Sequence, residues 1–302
     1  MNKIKNKDWF RPSGIPWLKY TKLYYSFSAI FIIAGILGII SWGLPLGLDF
    51  TGGAVIDYEV TDPRKRDALE DRFREAEIEI AQIQTSGADR IIVKTRSLSE
   101  EEQKKIAGFS SELEINQLQI QNVGPTVGPE LIKKTIIAIV IAATAILLWV
   151  ATQFKKIAFG VSAIVAMLHD TFILIGVFSI FGHFADAEID FLFVTAVLTT
   201  LSFSVHDTIV VFDRIREIQK KHGGELVNVA NRATSETMRR SIINSLTIII
   251  MLLSLTILGG DSIRWFSGAL LIGAIAGTYS SPFVAVPLFV TLSKMQLRFK
   301  RK

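Results

Sequence analysis

Thr199-Thr200-Leu201-Ser202-Phe203-Ser204-Val205-His206-Asp207-Thr208 lies inside a run that is otherwise apolar enough to cross a bilayer. The run continues to Asp213-Arg214-Ile215-Arg216, where charge becomes dense. An ionisable side chain at membrane depth costs roughly 2.5–3.5 kcal/mol on insertion scales. A histidine beside an aspartate persists there only where something compensates, and handling a proton or an ion is the usual reason. The stretch therefore reads as one span of a helical membrane bundle that carries a polar site.

Working outward, apolar runs of similar length recur at about 23–45, 131–152, 157–180, 189–212, 241–258 and 265–292. At about 1.5 Å rise per residue each is long enough to span, so a bundle of six transmembrane helices is expected. The last run is too long for one straight span, so a bend near Pro282 or Pro287, or an end beyond the bilayer, is expected. Half of the 302 residues are hydrophobic and the mean hydropathy is +0.40, which agrees with a membrane protein. The first run (23–45) carries Tyr24, Tyr25 and Trp42 where interfacial aromatics sit. It follows a basic N-terminus, 1–22, with Lys3, Lys5, Lys7, Arg11, Lys19 and Lys22. Its length and its lack of a small-x-small cleavage site favour an uncleaved signal anchor.

Short basic segments fix the expected orientation. Lys155-Lys156, the 213–240 loop and the 293–302 tail are rich in Lys and Arg, whereas 182–188 has neither and 259–264 has only Arg264. All the basic segments fall on one side of a six-span chain, which places both termini in the cytoplasm of a cytoplasmic-membrane protein. Residues 46–130 are then extracytoplasmic, and 131–292 complete the bundle.

Residues 46–130 change character, and their periods read strand, helix, strand, strand, helix, strand. Ala54–Val60 alternates as a strand, and Pro63–Ala76 is a charged helix opened by Thr61 or Asp62. Ile78, Ile80 and Ile83, then Ile91–Thr95, mark two strands around a Gly87 turn. Ser99 with Glu102 forms a capping box for a second helix, and Glu114–Gln121 alternates again. That order fits a small ferredoxin-like α+β domain.

Thr200, Ser204 and Asp207 fall at i, i+4 and i+7, on one face of the fourth span, with Thr199, Ser202 and His206 as an adjacent polar stripe. In the fifth span Arg240, Asn244 and Thr247 repeat the spacing. The two helices run antiparallel, so Arg240 is expected near the level of Asp207. A buried acid facing a cation stays ionised and one without it is driven toward neutrality, and a proton relay needs an acid poised between the two. Asp207, Arg240, His206 and Asp170, the last beside His169 in the third span, are the relay candidates, with Thr200, Ser204, Asn244 and Thr247 supporting them. The structural alternatives are an ion pair between Asp207 and Arg240 that holds two helices, and an interhelical hydrogen bond at Asp170. Asp213 and Arg216 read as a solvated patch at the membrane surface. Gly268, Gly273 and Gly277 in the last span are expected to allow close helix packing.

Several function classes drop out. The chain has no cysteine, so thiolate–metal and disulfide chemistry are excluded, and two histidines without a further ligand cluster make a poor metal site. No GxxxxGK[ST] loop is present, and Gly52-Gly53 leads into a strand rather than a helix. No cofactor, enzymatic activity or nucleic acid is expected, and energy coupling would use an ion gradient or a partner's ATPase.

Four segments resemble the SecD/SecF family of protein-export membrane proteins, which is related to the RND transporters. They are Gly47-Leu48-Asp49-Phe50-Thr51-Gly52-Gly53, Val123-Gly124-Pro125-Thr126-Val127-Gly128, the run from His206-Asp207-Thr208 to Asp213-Arg214-Ile215-Arg216-Glu217, and Gly277-Thr278-Tyr279-Ser280-Ser281. The resemblance implies an accessory translocase subunit that pairs with SecD, associates with the SecYEG translocon, and uses the proton-motive force on a translocating polypeptide. Membrane lipid surrounds it. The family's membrane aspartate and arginine correspond to Asp207 and Arg240. Ser202-Phe203-Ser204 replaces an expected Gly-Tyr-Ser, and His206 stands where Asn is common. Two other functions fit the composition: an RND-type half-transporter for a small molecule or lipid, and a purely structural subunit. The single small outer domain argues against the former.

Overall fold

The computed structural model describes residues 15–60, 62–86, 89–124, 127–154 and 157–299. The basic residues at 1–14, the helix opener Thr61, the Gly87 turn, Pro125-Thr126, Lys155-Lys156 and the last basic residues at 300–302 lie outside them. A 3-10 turn at Trp17–Tyr20 enters α1 (Thr21–Trp42), and α2 (Leu48–Thr51) is a single turn. Then follow β1 (Gly53–Glu59), α3 (Pro63–Glu75), β2 (Ile80–Ser86), β3 (Arg90–Thr95), α4 (Glu100–Glu112) and β4 (Asn116–Val123). The long helices are α5 (Val127–Gln153), α6 (Ile157–Ala185), α7 (Phe191–His222), α8 (Leu226–Leu258) and α9 (Asp261–Ser280). A π-helical turn at Ser281–Ala285 joins α9 to α10 (Val286–Phe299). The chain divides into two compact units, Met1–Pro45 with Ile139–Lys302, and Leu46–Ala138.

The smaller unit is a four-stranded antiparallel sheet in the order β2-β3-β1-β4, with α3 and α4 connecting the strands in the ferredoxin-like pattern. Alternation along β1 turns Ala54, Ile56 and Tyr58 inward, where they meet Leu69 and Phe73 of α3 and Ile106 and Phe109 of α4. Both helices start on side-chain caps. Asp62 Oδ1 accepts the Arg64 N–H at 2.9 Å, and this bond holds the Asp62 carboxyl below the usual carboxylate range. The Ser99–Glu102 box is complete: Ser99 N–H donates to Glu102 at 2.8 Å and Glu102 N–H to Ser99 Oγ at 3.3 Å.

Both helices also close alike, on a glutamate in the left-handed region, Glu77 (φ 57°) and Glu114 (φ 49°). Ile78 N–H then bonds Phe73 O, and Ile115 N–H bonds Ser110 O, each at 3.0 Å. These closures absorb Ile78 and Glu114, which alternation alone assigns to strands, so β2 begins at Ile80 and β4 at Asn116.

Among the described residues six stretches are long and apolar enough to cross a membrane: Trp17–Trp42, Val127–Val150, Ile157–Ala185, Phe191–His222, Leu226–Leu258 and Ile263–Gln296. The last is continuous in sequence, but its α-helical ladder is interrupted by the π-helical turn, which contains Pro282; a proline lacks the N–H that the ladder requires. Segment 213–240 is not the loop its charge implies. It is helical except at Gly223, Gly224 and Glu225, where both glycines have positive φ. Ion pairs at helical spacing, Arg214–Glu217, Lys221–Glu217 and Arg232–Glu236, with Arg214–Glu236 between the two helices, keep this charged segment helical. Phe154, Phe159, Phe212 and Phe289 form an aromatic core at that end, with Phe159 stacked on Phe289 at 3.9 Å. α1 crosses α6 where Gly35 faces Gly176, so closely that a Cβ on Gly35 would lie 2.8 Å from the Gly176 Cα.

Candidate functional site

Asp207 is half-buried on α7, and its carboxylate accepts a hydrogen bond from Ser241 Oγ of α8. Both residues line a cavity of about 10 Å³ together with Thr234, Thr237, Ser281 and Pro282. That is near the lower limit for holding one water. Among the described residues no Asp207–Arg240 ion pair, the structural alternative, forms, and Arg240 is exposed. The reason is helical phase. One residue is about 100° of rotation, so α8 turns Ser241 and Ser245 into the bundle while Arg240, Asn244 and Thr247 point out of it. His206 is likewise exposed, as are Thr195, Thr199 and Ser202 at helical spacing along α7. The stripes expected to face one another across α7 and α8 therefore do not.

Thr200 and Ser204 turn instead toward α6 and α9, where a second polar cluster is buried. Asp170 is 3% exposed, and its Oδ2 accepts from Ser204 Oγ at 2.6 Å and from Ser280 Oγ at 2.7 Å. His169 Nδ1 lies 2.9 Å from Oδ1, so with the carboxylate ionised it is Nδ1 that carries the proton. His169 Nε2 is buried and has no partner among the described residues. Hydrogen bonds between membrane helices average about 0.6 kcal/mol, so two serines contribute about 1.2 kcal/mol. Placing an acid at span depth costs roughly 2.5–3.5 kcal/mol. Gluing helices together does not offset this acid.

One turn beyond Ser204, Thr208 Oγ1 meets Ser281 Oγ at 2.9 Å. Ser281 Oγ also lies 3.0 Å from Gly277 O and 3.4 Å from Ser204 O. The three glycines of the last span differ in tightness. A Cβ on Gly273 would lie 2.0 Å from Thr200 Cγ2 and one on Gly277 3.2 Å from Ser204 Cα, whereas at Gly268 the nearest neighbour, Thr256 Cγ2, is at 3.7 Å. Ser241, Thr208, Ser280 and Ser281 are the site residues that sequence reasoning missed. Two adjacent serines before Pro282 were the available signal, because a proline in a span frees carbonyls for hydroxyls to bond.

Residues 102–295 match the family model described as protein export membrane protein SecD/SecF, C-terminal, and residues 43–63 match the SecD/SecF GG motif. A protein translocase subunit SecF from Thermobaculum terrenum is 36% identical over 293 residues, which cover 91% of this chain and 92% of the relative. One from Anaerolinea thermophila is 34% identical over 299 residues, covering 92% and 95%. A protein translocase subunit SecDF from Bacillus subtilis is 31% identical over 284 residues, 92% of this chain but 38% of the relative. The crystal structure of SecDF from Thermus thermophilus, described as a translocon-associated membrane protein, superposes with a TM-score of 0.81 at 29% identity. That match covers 93% of this chain and 39% of the SecDF chain, so this chain spans about two fifths of SecDF.

Proposed function

Because the chain belongs to the SecD/SecF family of protein-export membrane proteins, we propose that it pairs with SecD beside the SecYEG translocon and uses the proton-motive force to promote polypeptide export. It is a multi-pass membrane protein of six spans. In the proposed orientation both termini are cytoplasmic and residues 46–130 extracytoplasmic, as the basic segments favour.

The observation that carries this reading is Asp207. It is an acid on a span, held among the described residues by one hydroxyl, beside a water-sized cavity that touches the π-helical turn of the last span. Proton uptake there exchanges a carboxylate that only accepts for a carboxyl that also donates, which changes what Ser241 can do for it. A π-helical turn that contains a proline is a natural element for such a change to move. Pairing with SecD is supported by the exposed polar residues His206 and Arg240, each one position from the Asp207–Ser241 bond. Lipid covers neither well, and a facing span with polar groups does.

The test is export by inner-membrane vesicles with and without a proton gradient. Asp207→Asn should lose gradient-stimulated export by tenfold or more while the variant still co-purifies with SecD. Undiminished stimulation in that variant overturns proton coupling, and loss of co-purification makes Asp207 an assembly residue.

A further inference from the structure

We propose that Asp170 with His169 is a second, buried proton station, exchanging its proton with Asp207 through the hydroxyls gathered at the π-helical turn of the last span. The inference rests on the proton-coupled reading of Asp207 and extends it inward. Its geometric basis is a succession of polar groups in which the two hydroxyl pairs meet at a shared carbonyl, Gly277 O. Asp207 and Ser281 line the same water-sized cavity. Ser281 Oγ is paired with Thr208 Oγ1 at 2.9 Å. The neighbours one step along each helix, Ser280 and Ser204, both donate to Asp170 Oδ2. The two hydroxyl pairs share acceptors. Ser204 O lies within reach of Thr208 and Ser281 hydroxyls at 3.0 and 3.4 Å, and Gly277 O within reach of Ser281 and Ser280 at 3.0 and 3.4 Å.

Shared acceptors let the cluster take a proton without moving its helices. When Asp170 is protonated its new O–H needs an acceptor, and a serine oxygen supplies one once that serine's own hydrogen rotates away. Ser280 already has the alternative acceptor, Gly277 O at 3.4 Å. The step is a proton transfer only: an O–H bond forms on Asp170, one breaks on the donor hydroxyl, and that hydroxyl is reprotonated by a water that carries the proton across from the Ser281 hydroxyl on the Asp207 side. His169 completes the station. Its ring is 7% exposed and its Nε2 is unpartnered among the described residues, so the ring has a free position at which to gain or lose a proton. Most buried side-chain nitrogens are hydrogen-bonded, so an unpartnered one beside an acid calls for an explanation.

The ionisable groups facing this cluster are few. On α6 there is His169; on α9 there is Tyr279, whose ring lies 6.4 Å from that of His169 and whose hydroxyl donates to Tyr24 O of α1. From α7 comes Asp207, one turn beyond Ser204; Arg240 of α8 is exposed. Among the described residues no Lys or Arg is bonded to Asp170.

The experiment uses the full chain with SecD in lipid vesicles, aspartate labelled with ¹³C at the carboxyl, and pH-jump infrared difference spectroscopy. Among the labelled carboxyl bands, one should be lost in Asp207→Asn and another in Asp170→Asn. In Ser281→Ala the Asp170 band should rise at least tenfold more slowly after an acid jump while the Asp207 band keeps its rate, and Ser281→Thr should restore it. Ser280→Ala, which retains the acid, should shift the frequency of the Asp170 band and serves where Asp170→Asn does not fold. An Asp170 band absent at every pH between 4 and 9, or one whose rate is the same in Ser281→Ala, overturns the inference. Should Asp207→Asn export normally while the Asp170 band still responds, proton coupling at Asp207 fails instead, and the two outcomes are separately readable.

Discussion

Glu102 shows how much one side chain can be asked to do outside the membrane. It accepts from Arg96 at 2.5 Å and from Ser99 N–H at 2.8 Å, and these bonds, the Arg96 one foremost, pull its carboxyl down to about 2. The unfolded value is the ordinary one of about 4.3. A folded value below the unfolded one means the contribution is complete above about pH 4.3 and is lost as pH falls toward 2. Glu102→Gln should therefore destabilise α4 at pH 6 and make little difference near pH 2, as read by hydrogen exchange of its amides. A constant difference across that range would remove the carboxylate from the account. Residues of this kind were legible in sequence because charge at a helix start is a local signal. Asp207 and Asp170 were legible for the opposite reason, being charges where lipid is expected. Ser241, Ser280 and Ser281 were not. A hydroxyl on a membrane helix bonds the carbonyl a turn back at little cost, so its presence says nothing about what else it touches.

At the scale of elements, the crossing of α7 and α9 depends on Gly273. A methyl there would meet Thr200 Cγ2 at 2.0 Å, far inside contact distance, whereas at Gly268 it meets only an ordinary neighbour at 3.7 Å. Overpacking of this type costs about 1–3 kcal/mol. Gly273→Ala should lower the thermal midpoint of the detergent-solubilised protein by several degrees, and Gly268→Ala should leave it within a degree. Equal effects would mean that the two helices slide freely at that crossing. The sequence marked all three glycines alike because small residues recur on the face without revealing what lies opposite. It also read 213–240 as a loop, since charge density was taken for solvation. The pairs at i, i+3 and i+4 within that segment, Arg214–Glu217 and Arg232–Glu236 among them, were the signal for helix. The ferredoxin-like order, by contrast, followed directly from period-two and helical stretches alternating over 46–130. Only the left-handed closures at Glu77 and Glu114 moved its boundaries.

For the whole molecule, the exposed polar residues on two spans argue that a lone chain is incomplete. Ser202 and His206 on α7, and Arg240 and Asn244 on α8, are exposed on membrane-spanning helices, where an unsatisfied polar group is costly, whereas the exposed Thr199 and Thr247 hydroxyls bond the carbonyls of Thr195 and Ile243. Adjacent positions provide a built-in comparison. Asn244 is exposed, while Ser245, one residue on, is 2% exposed and faces into the bundle. Since the chain contains no cysteine, single replacements are unambiguous cross-linking sites. With SecD co-expressed in membranes, Ser202→Cys and Asn244→Cys should each cross-link to it through a short bifunctional thiol reagent, at least fivefold more than Ser245→Cys. The same contrast should vanish when SecD is absent. Equal yields from Asn244→Cys and Ser245→Cys would place the partner elsewhere on the bundle. In that case α5, which leaves Ile136, Ile141 and Leu148 more than half exposed, becomes the surface to probe with the same reagent.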